Sequence, residues 1–348
     1  MRIATYNVEW FSTLFADDGT LIDDDSWSSR RDVTKQQQTA ALGAVFQALD
    51  ADAVMVVEAP DTSPKRDGCT ALEHFADRFG LRARNCLIGF TNDTQQEIAL
   101  LYDPDVINVT HDPKGPATGG KGEAPRFDGV FHIDLDVDDR EDHIKFSKPP
   151  LEVSLVTKDN QHLRLIGAHL KSKAPHGARN PAAVMRLSIA NRRKQLAQCI
   201  WLRERVEQHL NAGEDLIVMG DFNDGPGLDE YEELFGRSSV EIVLGVGKDA
   251  ETRMFDPHAH AALAQRIGAQ MATSRFYVRR EKRYLNALLD YIMVSPALAD
   301  TKPNWHIWHP FDDPACWGDV ELRDALLTAS DHFPVTLDIV LPAPILNT

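Results

Sequence analysis

A mixed chain of buried strands and helices, α/β or α+β, folded as one large domain over 1–342 with a short tail at 343–348, is what the sequence predicts. Three observations carry this expectation. Short continuous apolar runs such as Ala53-Val54-Met55-Val56-Val57 and Leu216-Ile217-Val218-Met219 have the length of strands covered on both faces. Between such runs lie segments with apolar residues at helical spacing, as at Leu42, Val45, Phe46 and Leu49. The 348 residues, 43% of them hydrophobic, suffice for one sizeable core.

In chain order, Ile3, Thr5, Tyr6 and Val8 form a β-prone run from which Asn7 and Glu9 emerge. The stretch 17–31 is rich in Asp and Ser and reads as a solvated loop, and 33–49 as a helix. The strand at 53–57 ends in Glu58. A second helix is expected at 72–79, then a strand at 97–102 stopped by Asp103-Pro104. The Gly- and Pro-containing stretch 111–127 reads as a long surface loop and the acidic stretch 134–142 as a solvated hairpin edge. Neither reads as a linker, because strands resume at 151–156 and at 163–168, the latter ending in His169. A long helix is expected at about 181–210. The run at 216–219 is stopped by Gly220, and Asp221 and Asn223 then share one side if the chain stays extended. A short helix at 231–235, a loosely patterned region to about 272, a strand at 275–278 and, within 284–294, a buried strand at 288–294 interrupted by Asp290 follow. Trp305, Trp308 and Trp317 fit packing better than a cleft wall. Ser330-Asp331-His332 precedes the last strand, 336–340.

Composition narrows the function. A formal net charge of −16 repels polyanions at long range and argues against retention on nucleic acid or membrane by bulk charge. Cys69, Cys86, Cys199 and Cys316 are widely spaced without a CxxC pair, which fits reduced thiols in a cytoplasm better than a disulfide framework or a zinc site. No apolar run approaches the 20 residues or so of a membrane span, no leader is expected, and no obligate protein partner is evident.

The chemistry gathers at strand ends. Asn7, Glu9, Glu58, His169, Asp221, Asn223, Asp331 and His332 stand where apolar runs stop, with Asp290 as a buried supporter. A Glu or Asn at such a place is ordinarily just the exit to solvent or a turn former; the recurrence points to a shared site. Carboxylates and amides without sulfur describe a hard-cation site, suited to Mg²⁺ or Mn²⁺. A phosphoryl centre needs its charge neutralised and a water deprotonated. An acid inside an apolar run requires a partner, so Asp290 is expected to hold His332 through a hydrogen bond. The other histidines read as structural.

Between Gln161 and Arg203 there is no Asp or Glu, yet there are nine Lys or Arg: 164, 171, 173, 179, 186, 192, 193, 194 and 203. Arg186, Arg192, Arg193 and Lys194 read as the wet face of the long helix. Lys171, Lys173 and Arg179, in the loop after His169, are placed to meet a phosphate.

The segments YNVEW at 6–10, VVE at 56–58, AHLKSK at 168–173, GDFND at 220–224, LDYI at 289–292 and SDHFPV at 330–335 resemble, in family order, the endonuclease/exonuclease/phosphatase superfamily with the deoxyribonuclease I fold. The resemblance covers nearly the whole chain. It implies a four-layered α/β/β/α sandwich of two mixed β-sheets flanked by helices, with the active cleft at one edge. It further implies Glu58 as principal Mg²⁺ ligand, assisted by Asn7, Glu9 and Asp331, with Asp221 and Asn223 positioning the attacking water. His332, braced by Asp290, would be base or positive partner to the phosphate. His169 would contact the scissile phosphate or protonate the leaving oxygen, with Glu97 orienting it. The HLKSK form is similar to the deoxyribonuclease and sphingomyelinase branches. The aromatic and basic insertion loops of the repair nucleases are not found. The implied activity is phosphodiester hydrolysis by direct water attack on short or single-stranded nucleic acid or on a small or lipid phosphodiester, the alternatives being a phosphomonoesterase of the same fold and a non-catalytic scaffold.

Overall fold

Strand alternation sets the architecture, because each buried strand sends successive side chains to opposite faces. The computed structural model describes residues 1–120, 123–135, 142–175, 177–225, 236–264, 271–278 and 282–342. In chain order its strands are β1 (Arg2–Asn7), β2 (Ala53–Ala59), β3 (Asn85–Ile88), β4 (Glu97–Tyr102), β5 (Ile107–His111), β6 (Phe131–Ile133), β7 (Asp142–Ile144), β8 (Leu151–Thr157), β9 (His162–His169), β10 (Leu216–Asp221), β11 (Ser274–Val278), β12 (Arg283–Ala287), β13 (Asp290–Val294), β14 (Asn304–Ile307) and β15 (Val335–Asp338). One sheet has the order β14-β15-β1-β2-β4-β3 and the other β13-β10-β9-β8-β5, and β11–β12 and β6–β7 are separate hairpins. Both sheets are mixed: β1 and β2 are parallel, as are β9 and β10, and the remaining neighbours are antiparallel.

Along β2, Ala53 and Met55 face the second sheet, where Leu165, Ile217, Met219 and Ile292 meet them. Val54 and Val56 face the other way, onto Leu42, Val45 and Phe46 of α1 (Lys35–Leu49) and Leu72 and Phe75 of α2 (Gly68–Arg78). On the far side, Ile166, Val218 and Met293 pack against Trp201, Leu202 and Val206 of α3 (Pro181–Asn211) and Val240 and Leu244 of α4 (Ser239–Leu244). Helices, sheet, sheet and helices therefore stack as the expected α/β/β/α sandwich. Short helices α5 (Pro257–Ala264), α6 (Pro296–Asp300), α7 (Pro314–Gly318) and α8 (Val320–Ala329) complete the described α-helices.

Caps set the helix ends. The helix expected from residue 33 starts at Lys35, where Thr34 and Gln37 form a reciprocal capping box. The second begins at Gly68 rather than 72, because Asp67 accepts from the Thr70 N–H. Asn180 caps α3 in the same way.

Other expectations are corrected. Gly220 does not stop its strand; it lies inside β10 at φ 134°, where a Cβ would fall 2.0 Å from the Ala168 carbonyl oxygen. The buried strand expected at 288–294 begins at Asp290, which heads β13 instead of interrupting an apolar run, and the residues before it form β12 of a separate sheet. The stretch 111–127, expected as a surface loop, has Ala124 and Phe127 buried, and Trp201 donates its indole N–H to the Pro125 carbonyl. Arg192, expected on a wet helix face, is 1% exposed. The loosely patterned region before residue 272 contains α4 and α5. Trp305 and Trp308 donate to the Ile292 carbonyl and the Thr336 hydroxyl, consistent with packing. The helix expected at 231–235, the tail 343–348 and most of the acidic stretch lie outside the described residues, although β6 and β7 pair on either side of that stretch. All four cysteines are free thiols. Among the described residues no helix is long and apolar enough to cross a membrane.

Candidate active site

Topology gathers the strand ends at one edge. Because β1 and β2 run parallel, Asn7 and Glu58 leave the first sheet side by side; because β9 and β10 run parallel, His169 and Asp221 are register partners at the end of the second. β13 runs against β10, so its first residue, Asp290, pairs with Asp221. β15 runs against β1, which brings the residues preceding it, Asp331 and His332, to the same edge. The result is a cavity of about 700 Å³ lined by Asn7, Glu9, Glu58, His169, Asp221, Asn223, Asp331 and His332.

Three of these side chains reach the cavity through left-handed backbone rather than through extended alternation. Glu9, Glu58 and Asn223 have φ of 43°, 61° and 50°. Each left-handed residue without glycine costs about 1–2 kcal/mol, a strain that clusters at functional sites. Glu58 sits in a bulge, where the pairing of β2 with β4 shifts between Val57 and Ala59. Asn223 folds back on its neighbour, with its backbone N–H 2.7 Å from Asp221 Oδ1 and its side-chain amide 3.0 Å from Oδ2.

Asp221 is the junction between the sheets. Its Oδ2 also accepts from Asn7 Nδ2 at 3.0 Å and lies 3.5 Å from His169 Nε2. Burial pushes its pKa up to about 7, with Asp290 and Glu58 adding to the effect and His332 opposing it. His332 Nδ1 donates to Asp290 Oδ2 at 2.8 Å, and Thr273 Oγ1 donates to the same oxygen while accepting from the Leu289 and Asp290 N–H groups. Asp290 Oδ1 is buried without a hydrogen-bond partner among the described residues. Burial opposes charge on His332, but Asp290, Asp221 and Asp331 outweigh it and hold the imidazole well above its usual range. His169 is held well below that range by burial, reinforced by Lys148, His332 and Lys171.

Glu58 Oε2 accepts from the Trp10 N–H at 2.9 Å. Glu9 is bound by Arg30 and accepts from the Asp331 N–H. Burial raises the pKa of both Glu9 and Asp331, with Asp331 acting on Glu9 and Glu58 on Asp331. Closely set, desolvated carboxylate and amide oxygens, with no cysteine in the cavity wall, are the donor set of a hard divalent cation. Ligand-capable atoms of Asp221, Asp290 and His332 also lie within 4.8 Å of one another. Within that trio His332 and Asp290 are hydrogen-bonded to each other, and the Asp290 oxygen facing His332 is already occupied by two donors.

Not every expected residue arrives. Lys171 lines the cavity, but Lys173 turns to buried Asp224 at 2.5 Å and Arg179 is exposed and not part of the wall. Glu97 receives the backbone and side-chain N–H groups of Asn92, burial lifts its pKa to about 7, and no hydrogen bond links it to His169. Lys148 meets His169 instead, with Nζ 3.2 Å from Nδ1. Lys148, Arg30 and Gln195 were not singled out in the sequence. Gln195 is fully buried and donates to the carbonyls of Lys171, Phe222 and Asn223, clamping two site loops together. Asp224 accepts from Lys173, Arg192 and the Ser239 N–H.

Comparison with known proteins agrees with this architecture. The profile of the Endonuclease/Exonuclease/phosphatase family matches residues 4–332. TDP2 from Caenorhabditis elegans superimposes with a TM-score of 0.50 at 13% identity, over 98% of this chain and 74% of that one. A mannosyl-6-phosphatase from Bacteroides thetaiotaomicron does so with a TM-score of 0.50 at 14% identity, over 98% of this chain and 100% of that one. At such identities the likeness concerns the fold. No curated protein matches the chain.

Proposed function

Because the chain belongs to the endonuclease/exonuclease/phosphatase family, we propose that it is a divalent-metal-dependent phosphoesterase that hydrolyses phosphodiester bonds by direct attack of water. The observation that carries this reading is the meeting of Asn7 and Glu58 from one sheet with His169, Asp221 and Asp290-held His332 around one cavity.

Asp221 is the base. Its raised pKa makes it a competent proton acceptor near neutrality, and Asn7 and Asn223 fix both of its oxygens. The water gives its proton to Asp221, its oxygen bonds to phosphorus, and the bond from phosphorus to the leaving oxygen breaks. His332, protonated, pairs with the phosphate and donates its proton to the leaving oxygen, and transfer of the proton from Asp221 to the neutral imidazole restores both groups. His169 is neutral and so contacts the phosphate rather than protonating the leaving group. Lys148 and Lys171 set ammonium groups against the non-bridging oxygens; among the described residues no carboxylate lies within salt-bridge distance of Lys148, and a phosphate supplies the missing counter-charge. Glu58, with Asn7 and Asp331 beside it, would hold Mg²⁺ or Mn²⁺, and Glu9 would act through Asp331 and Arg30. Such an ion, when bound, supplies positive charge against the phosphate.

We place the chain with the HLKSK-bearing branches of the family on the position of His169 in the cavity wall, and in the cytoplasm on its four free thiols. The substrate is a short or single-stranded nucleic acid or a small or lipid phosphodiester. The test is hydrolysis of bis(p-nitrophenyl) phosphate by chelator-treated protein, with p-nitrophenyl phosphate in parallel. Diester turnover restored by Mg²⁺ or Mn²⁺ supports the proposal; turnover of the monoester alone would favour a phosphomonoesterase, and turnover of neither would favour a binding scaffold.

A further inference from the structure

A second cavity, of about 290 Å³, opens beside the reaction cavity and shares Ser172, Ala174, Asn223, Phe276 and Leu289 with it. Its outer wall continues as Leu285 and Ala287 of β12 and as Ser188 of α3. Phe276 and Leu285 are cross-strand partners, so both side chains stand on the same face of the β11–β12 hairpin. The hairpin belongs to neither main sheet, yet it is pinned to the site: the Arg275 N–H donates to the Asp331 carbonyl, and the Phe333 N–H to the Thr273 carbonyl. The cationic groups nearby do not make this an anion site, because the Lys173 ammonium and the Arg192 guanidinium both donate to buried Asp224. An apolar recess that shares a wall with the phosphate cavity is placed to bind whatever the phosphate carries.

We propose that this side cavity receives an uncharged apolar ester group of the substrate, aryl or alkyl, while the phosphate lies in the reaction cavity, so that the enzyme selects diesters by that group. The inference rests on the phosphodiesterase reading and deepens it. A nucleobase is the poorer occupant: edge donors and acceptors that face Phe276, Leu285, Ala287 and Leu289 lose their hydrogen bonds with water, and among the described residues the uncharged polar side chains in the wall are limited to Ser172, Ser188 and Asn223. A ring or chain without polar edges loses nothing and leaves water.

The test compares p-nitrophenyl diesters that share one leaving group and differ in the second ester: methyl, phenyl, hexyl and thymidine 5′. The phenyl and hexyl esters should exceed the methyl ester in kcat/KM by about tenfold or more, the thymidine ester should not. Leu285→Trp and Ser188→Trp fill the recess from opposite walls, and each should bring the phenyl and hexyl esters down to the methyl value while leaving the methyl ester unchanged. Equal values in the unmodified protein, a preference that survives both substitutions, or preference for the thymidine ester would overturn the proposal. Calorimetric binding of diphenylphosphinate against dimethylphosphinate, which contain no ester to hydrolyse, makes the comparison without turnover. Tighter diphenylphosphinate binding that both Trp substitutions remove supports the side cavity even if no ester is cleaved, a result that would sink only the hydrolase reading; equal binding overturns the side cavity itself.

Discussion

Asp290 accepts a hydrogen bond from Nδ1 of His332 at 2.8 Å across 42 positions of sequence, and Thr273 braces the same carboxylate oxygen from the other side. The pairing fixes the imidazole tautomer and favours its protonated form. Asp290→Asn removes the charge and keeps the shape. It should lower kcat/KM for a phosphodiester by about 100-fold, the scale of losses for a carboxylate that orients a site histidine.

The pH profile should be bell-shaped. Activity needs ionised Asp221, so it rises with pH through about 7; it needs protonated His332, so it falls as pH passes the raised imidazole pKa. The two groups interact, so the limbs report the pair rather than either residue alone. In Asp290→Asn the alkaline limb should move to lower pH, because the charge that favours the imidazolium is gone. An alkaline limb that stays in place would assign it to another group.

Lys148→Ala should raise KM and lower kcat/KM for a phosphodiester by about 10–100-fold, the worth of one or two charge-assisted hydrogen bonds, and Lys148→Arg should recover part of the loss. Removing Lys148 also removes a neighbouring cation that depresses the His169 pKa, so the imidazole resonances of His169 should titrate at higher pH in the alanine variant.

Asp224→Ala should cost about 3–5 kcal/mol of stability in chemical denaturation, as expected when one partner of a buried ion pair is removed. The cations at Lys173 and Arg192 hold its carboxyl below the ordinary 3.8 against the opposing effect of burial. A depressed folded pKa contributes stability that is present above the unfolded value and is lost as pH falls through the folded one. The stability difference between the parent chain and Asp224→Ala should therefore be full at neutral pH and shrink below about pH 4.

Gly220→Ala should destabilise the chain by more than about 3 kcal/mol, since φ 134° is strained for any L side chain and the Cβ would collide with the Ala168 carbonyl. Gln195→Leu keeps the volume and removes three donated contacts, so a loss of about 2 kcal/mol and a fall in kcat are expected together, both read from one preparation.

The strand ends were legible because the apolar run Ala53–Val57 gives way to Glu58 and Leu216–Met219 gives way, after Gly220, to Asp221, and a buried strand can place such a residue only at its edge. The turns that aim those residues were not. Nothing local marks Glu9, Glu58 or Asn223 as left-handed, because that conformation is imposed by sheet pairing and by neighbours distant in sequence. Lys148 was missed because it stands in a loop before β8 with no periodic signal. Arg192 was misread because helical spacing cannot distinguish a cation facing water from one facing Asp224, which lies 32 residues away. The basic run after His169 divides for the same reason: Lys171 reaches the cavity, while Lys173 is directed to that buried acid.

The most direct measurement of the central claim is the turnover of bis(p-nitrophenyl) phosphate by Glu58→Ala, Asp221→Asn and His332→Ala, each confirmed folded by circular dichroism, with and without Mg²⁺. If the strand ends form one phosphoryl-transfer site, each substitution lowers kcat by about 100-fold or more, and the Asp221→Asn, His332→Ala double variant falls far short of the product of its single effects, as for residues that act as a unit. Turnover at the unmodified level in all three folded variants would contradict the account.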